Sequence, residues 1–174
     1  LESAARRVNE RIDEYSRGEL PVLCSNVTVT GGAGFLGSHL CEVLASPGED
    51  VIILDNLSSG TRENLREVLK STRRVKLMVG DCKDPVDVRK ALAQADVLYH
   101  FAANPEVRLE LADPQTCFRE NVYATQKLLE AVRQSDVHTI VFASTSTVYG
   151  DAKTIPTPEN YSPLEPISIY GASK

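Results

Sequence analysis

The sequence predicts a doubly wound α/β fold, a parallel sheet with helices on both faces, from three observations. Short apolar, β-branched runs recur along the chain, each uninterrupted rather than alternating, as in strands buried on both faces. Helical stretches separate these runs, and right-handed crossovers send successive helices to opposite faces of one sheet. The first run opens straight into glycines and then a helix, in "VTVTGGAGFLGSHL".

Taken in order, residues 1–24 read as an N-terminal amphipathic helix or arm, and residues 25–174 as the domain proper. Ala4, Ala5, Val8, Ile12 and Tyr15 recur at helical spacing among charges, and Gly18 and Pro21 follow as stop signals. Such a helix either docks on the domain surface or meets another subunit. Strands are expected at Asn26 to Thr30, Asp50 to Leu54, Val75 to Val79, Val97 to Phe101 and Thr139 to Ala143. Helices are expected at Gly34 to Ala45, Arg62 to Ser71, Pro85 to Gln94 and Pro114 to Gln134, the last with Val122, Leu128, Leu129 and Val132 toward a common face. Beyond Ser144 the chain turns to Pro, Thr, Ser and Tyr, with Pro156, Pro158, Pro163 and Pro166 forcing a long loop over the strand ends, a common place for binding function.

Composition narrows the function. With 174 residues, 42% hydrophobic and 25% charged, the chain can bury a core. A net charge of -5 argues against nucleic acid as a partner and favours small molecules. Cys24, Cys41, Cys82 and Cys117 show no CxxC spacing, which suggests reduced thiols rather than a disulfide frame or a zinc site. No apolar run is long enough to cross a bilayer and no apolar signal core opens the chain, so a cytoplasmic protein without a membrane partner is expected.

The glycine motif parses as Gly32-x-Gly34-x-x-Gly37 or as Gly31-x-x-Gly34-x-x-Gly37. In either register a side-chain-free turn lets backbone approach a pyrophosphate, whose charge meets the free N–H groups and positive end of the next helix. Asp55 ends the following strand in "VIILDNLSSG", where a carboxylate can accept from ribose hydroxyls and repel a 2′-phosphate, favouring NAD over NADP. It can equally cap the next helix. Asp81, in "MVGDC", lies at the same sheet edge, as an acceptor for an adenine amino group or as a turn aspartate. Phe101, Ala102 and Ala103 suit a cofactor passing over them or plain core. Tyr170 and Lys174, in "ISIYGASK", stand one helical turn apart and fall on one face if the segment is helical.

Together "TGGAGFLGSHL", "ILDNLSSG", "GD", "YHFAAN", "ENVYATQKLLEA", "ASTSTVYG" and "YGASK" resemble the extended short-chain dehydrogenase/reductases, in particular the NAD-dependent nucleotide-sugar epimerases and dehydratases, from Asn26 to Lys174. The resemblance implies a Rossmann-like fold, incomplete at the C-terminus for want of the sugar-nucleotide lobe, and the register Gly31, Gly34, Gly37. It also implies NAD as cofactor, with Phe35, Leu36, Asn56, Ser58, Gly60, Cys82, Asn121 and Ala143 around it besides the residues above. Asn121 read alone could simply satisfy buried backbone groups. The catalytic set it implies is Thr145, Tyr170 and Lys174, with Thr147 beside the substrate.

Dehydratases resembling this chain carry an acid where Thr147 stands, so the nearest activity is C4 epimerisation of a UDP-hexose through a 4-keto sugar, in a homodimer. A tyrosine base needs its phenolate favoured by about 4 kcal/mol to work near neutrality, and the lysine and the nicotinamide ring are the available cations. A non-catalytic NAD-binding fragment or module, and a dehydratase or reductase of the same family, are the alternatives. The open C-terminal edge is expected to leave one face of the sheet uncovered.

Overall fold

A computed structural model describes residues 26–45, 49–106 and 113–174. The helix expected over residues 1–17, and Cys24, lie outside them. The described elements are β1 (Asn26–Thr30), α1 (Phe35–Ala45), β2 (Asp50–Asp55), a 3₁₀ turn (Arg62–Leu65) leading into α2 (Arg66–Ser71), β3 (Val75–Val79), α3 (Pro85–Leu92) and β4 (Val97–His100). There follow α4 (Pro114–Cys117), a π-helical segment (Phe118–Tyr123), α5 (Ala124–Val132), β5 (Thr139–Phe142), a 3₁₀ turn (Ser146–Tyr149) and α6 (Ile169–Ala172). All strand pairs are parallel, in the order β3-β2-β1-β4-β5.

The central strands β1, β2 and β4 bury both faces, as their uninterrupted pattern requires, whereas at the sheet edges β3 is half-buried and β5 is exposed, because a helix layer does not cover them fully. Val27, Val29, Val51 and Ile53 pack with Cys41, Leu65 and Val68 on one side of the sheet. Leu54 and Leu98 pack with Val88, Ala91, Leu92, Ala124 and Leu128 on the other. Two threonines of β1 face that second layer and are satisfied there: the Thr28 hydroxyl donates to the Ala91 carbonyl at 2.6 Å, and Thr30 Oγ1 lies 2.7 Å from His100 Nδ1.

The element boundaries shift slightly from expectation. Phe101 and Ala143 each donate one more ladder bond, to Thr30 and His100 at 3.0 and 3.1 Å, and the chain then leaves the sheet. The expected common face of the long helix is corrected: Leu128 is buried, whereas Val122 and Leu129 are exposed. Consecutive residues on a helix point about 100° apart, so Leu128 packs in a stripe with Ala124 and Ala131 that excludes Leu129, and the π-helical turn shifts the phase before it. Val122 and Leu129 look instead onto a groove of about 610 Å³ shared with Phe142 and Lys174, beside the exposed edge strand β5.

Candidate cofactor and active site

Strand order reverses at β1: the chain leaves it through α1 to reach β2 on one side, and returns later to place β4 on the other. Open α/β sheets hold ligands at such a switch point, outside the carboxyl ends of the strands. There the protein has a cavity of about 1080 Å³.

The glycine loop forms its floor. Gly31 has φ +70°, and a Cβ on it would stand 2.6 Å from the Ala102 backbone nitrogen, so β1 and β4 can part around the cavity only if this residue is glycine. A Cβ on Gly37 would run into the Gly31 carbonyl and stand 2.7 Å from Gly32 Cα, pressing the first turn of α1 off the loop. A Cβ on Gly34 would come no nearer than 3.2 Å to the Gly31 carbonyl, and one on Gly32 would press the buried Ile53 side chain at 2.6 Å, so the positions where backbone itself demands glycine are Gly31 and Gly37. The loop closes through a Gly34 N–H donating to the Gly31 carbonyl at 3.1 Å, and Gly34, Phe35, Leu36 and Gly37 carry the helix N-terminus into the cavity. Phe35 is 75% exposed, an apolar ring left over the opening.

Asp55 sits buried at the end of β2, with one carboxylate oxygen accepting from Ala33 N at 2.9 Å and the other from Leu57 N at 2.8 Å. It therefore fastens the glycine loop as well as lining the cavity. Asn56 and Ser58 line the cavity beside it, and the Asn56 side chain accepts from Ser58 N at 3.0 Å. Gly60 stands behind the loop, outside the lining, where a Cβ would come within 2.7 Å of the Ala33 carbonyl carbon.

Asp81 and Cys82 continue the wall after β3. Burial alone would raise the Asp81 carboxyl, but hydrogen bonds from the Lys83 backbone and ammonium and from the Asn56 amide outweigh it and hold the group below its usual range. Burial, with the Asp81 charge, pushes the Cys82 thiol up to about 12, so it is an inert wall.

Phe101, Ala102 and Ala103 line the opposite wall after β4, with Ala143 and Ser144 after β5. Tyr170 and Lys174 close this end, both partly exposed to the same cavity. The four residues of α6 make too short a helix to stand alone. Ser168 caps it by accepting from Gly171 N at 2.9 Å, and Gly171 seats against the Thr147 carbonyl, where a Cβ would come within 2.8 Å. The Ser144 hydroxyl donates to the Lys174 carbonyl at 3.2 Å. The Lys174 ammonium lies over the Phe142 ring, 4.7 Å from its centroid, and burial lowers its proton affinity below the ordinary lysine range.

Three expected residues stand outside the lining besides Gly60. Asn121 is buried and turned to the backbone: its side-chain oxygen accepts from Asn104 N at 2.7 Å, and its amide donates to Ser173 Oγ at 2.9 Å. It thereby ties the loop after β4 to the helix carrying Tyr170. Thr145 caps the 3₁₀ turn before Tyr149, its hydroxyl oxygen accepting from the Thr147 hydroxyl at 3.1 Å.

Sequence reasoning missed the charged rim formed by Lys83, Arg119 and Glu120, which line the cavity, because the partners lie far apart in the chain. It missed His100 too, whose one linear signal is a polar residue ending an apolar strand. His100 is buried at the end of β4, held between Thr30 Oγ1 and Thr125 Oγ1 at 2.7 and 2.8 Å. The residues present fit a dinucleotide: a side-chain-free loop at a helix N-terminus for the diphosphate, one carboxylate at the end of β2 and another after β3 for polar hydrogens, and a small-residue wall for a flat ring.

Comparison with known proteins agrees with this geometry. The UDP-glucose 4-epimerase of Neisseria gonorrhoeae is 36% identical over 151 residues, covering 85% of this chain and 45% of that protein. A solved UDP-galactose 4-epimerase is 51% identical, with a TM-score of 0.76 over 86% of this chain and 48% of its own. The dTDP-glucose 4,6-dehydratase of Streptomyces venezuelae, solved with NAD bound, is 38% identical with a TM-score of 0.79, over 86% and 48%. The chain thus spans about half the length of the relatives it matches. Residues 27–174 match the model of the NAD dependent epimerase/dehydratase family, and the chain belongs to that family.

Proposed function

We propose that the protein inverts C4 of a UDP-hexose, interconverting UDP-glucose and UDP-galactose through a transient 4-keto sugar. One observation carries this reading: Tyr170 and Lys174 open into the same cavity as the glycine loop, Asp55 and Asp81. NAD, when bound, supplies the hydride acceptor and donor for the sugar carbon. Gly31, Gly34 and Gly37, with the first turn of α1, take the diphosphate; Asp55 takes the ribose hydroxyls; and Asp81 takes the adenine amino group. Phe101, Ala102, Ala103 and Ala143 bound the flat ring and exclude water from it.

Tyr170 removes the C4 hydroxyl proton and later returns it, and the Lys174 ammonium favours its phenolate. Thr145 stands outside the cavity lining with its Oγ1 accepting from the Thr147 hydroxyl, and in this reading the proton it has left to donate goes to the sugar oxygen. Thr147 has no carboxyl to eliminate water beside a ketone, which favours epimerisation over the dehydration named for the Streptomyces relative. A homodimer in the cytoplasm belongs to the same reading.

The test is turnover of UDP-galactose without added NAD by the complete protein. Tyr170→Phe should nearly abolish turnover while leaving NAD bound, and normal turnover by this variant overturns the mechanism. Product mass separates the related activities, since a dehydratase releases a sugar lighter by one water and a reductase a sugar heavier by two hydrogens. A non-catalytic module would bind NAD and no sugar nucleotide in calorimetry.

A further inference from the structure

We propose that Lys83 is a positioning residue that sets the base selectivity of the cavity, by holding the Asp81 carboxylate in place as the acceptor for an adenine amino group. The inference rests on the reading that Asp81 faces the adenine.

Lys83 lies between two acids on different elements. Its ammonium is 3.0 Å from Asp81 Oδ2 and also bonds Glu120, which belongs to the π-helical segment across the rim. Exposed ion pairs contribute little, but here the Lys83 side chain is 22% exposed and that of Glu120 23%, and all three residues line the cavity. A cation so far withdrawn from water keeps both partners, because losing either leaves a charge poorly compensated. Arg119 supports the far end, its Nε donating to Glu120 Oε1 at 2.9 Å. Helices carry π-helical turns where a side chain is re-aimed for function, and this one turns Glu120 to Lys83 and Asn121 inward.

The near end is built around one carboxylate orientation. Asp81 Oδ1 accepts from Lys83 N at 2.8 Å, and Oδ2 accepts from Asn56 Nδ2 at 3.3 Å together with the Lys83 ammonium. The Asp81 backbone N–H in turn donates to Asp87 at 3.1 Å. Among the described residues the ammonium is the one charged donor on the outer oxygen, so without it the weaker Asn56 contact is what they leave to hold that oxygen against rotation into water. An acceptor fixed in this way favours a base with an exocyclic amino group and disfavours one with a carbonyl there.

The experiment compares the affinity of the protein for NAD and for nicotinamide hypoxanthine dinucleotide, in which an oxo group replaces the adenine amino group. The wild type should prefer NAD by about 10-fold, a modest value for a site that hydrogen-bonds the distinguishing group. Lys83→Met should reduce that preference to about 2-fold, and Lys83→Arg, which keeps a charged donor, should largely preserve it. A purely structural role would weaken both dinucleotides together and leave their ratio unchanged. An unchanged ratio in Lys83→Met overturns the proposal alone, whereas equal binding of the two dinucleotides by the wild type overturns the Asp81 reading and the proposal with it. If Lys83→Met fails to fold, Glu120→Gln makes the same test by removing the far anchor, with a reduced ratio expected and an unchanged one refuting.

Discussion

Mild acid should destabilise this protein through a single buried imidazole. His100 is 2% exposed, with both ring nitrogens engaged by threonine hydroxyls and the Phe142 ring 5.5 Å away. Burial first, and the Lys174 charge second, push its pKa from the ordinary 6.5 down to about 4. Below pH 6.5 the unfolded chain takes up a proton that the folded protein refuses until about pH 4. The stability tied to neutral His100 is therefore complete above the unfolded value and is lost as pH falls toward the folded one. The whole gap corresponds to about 3 kcal/mol, of which about 2 kcal/mol is lost by pH 5. Urea unfolding of the wild type and of His100→Asn, followed from pH 7.5 to pH 5, isolates the effect, since the carboxylates titrate alike in both. The wild type should lose about 2 kcal/mol more than the variant over this range. If the two stabilities run parallel, the imidazole does not stay neutral through this range and the reasoning fails.

Two further substitutions probe the site. Gly31→Ala should cost about 2–5 kcal/mol by urea unfolding, combining a left-handed backbone with overpacking against Ala102, whereas Gly32→Ala, which overpacks the buried Ile53 side chain without a left-handed backbone, should cost about 1–3 kcal/mol; a loss at Gly31 no larger than at Gly32 would refute the strictness assigned to Gly31. Asn121→Ala leaves the Asn104 N–H without its buried acceptor and removes the donor to Ser173 Oγ, so about 1–3 kcal/mol of stability should go, and in the complete protein turnover in the proposed reaction should fall more steeply than NAD affinity because the Tyr170 helix is unpinned.

Much of the fold was legible because its signals are local. β1 and β3 lie where their apolar runs predicted, and β2, β4 and β5 differ by one residue at an end, where the chain passes from ladder to cavity. The glycine motif could be read because the demand on Gly37 comes from Gly31 and Gly32 in the same strand–turn–helix unit, whereas the demand on Gly31 comes from Phe101 and Ala102 after β4 and is visible only in the folded sheet. The face of the long helix was misread at Leu129, which ordinary helical spacing turns away from Leu128, and at Val122, which lies in a π-helical turn that has no periodic signature in sequence. The resemblance put Asn121 around the cofactor, whereas it stands outside the cavity lining, and its bonds to Asn104 and Ser173 depend on a loop and a helix that approach it only in the folded chain.

Sequence alone determined the strands, the order of helices between them, the glycine turn that opens α1 and the presence of a tyrosine and a lysine one turn apart, because each depends on residues within a turn or two of one another. Tertiary structure decided the rest: the placement of β4 against β1, the Asp55 carboxylate fastening Ala33, the imidazole of His100 between two strand and helix hydroxyls, and the Lys83 ammonium joining Asp81 to Glu120. These contacts join segments distant in the chain, and their geometry exists only once the sheet has brought the strand ends to one edge.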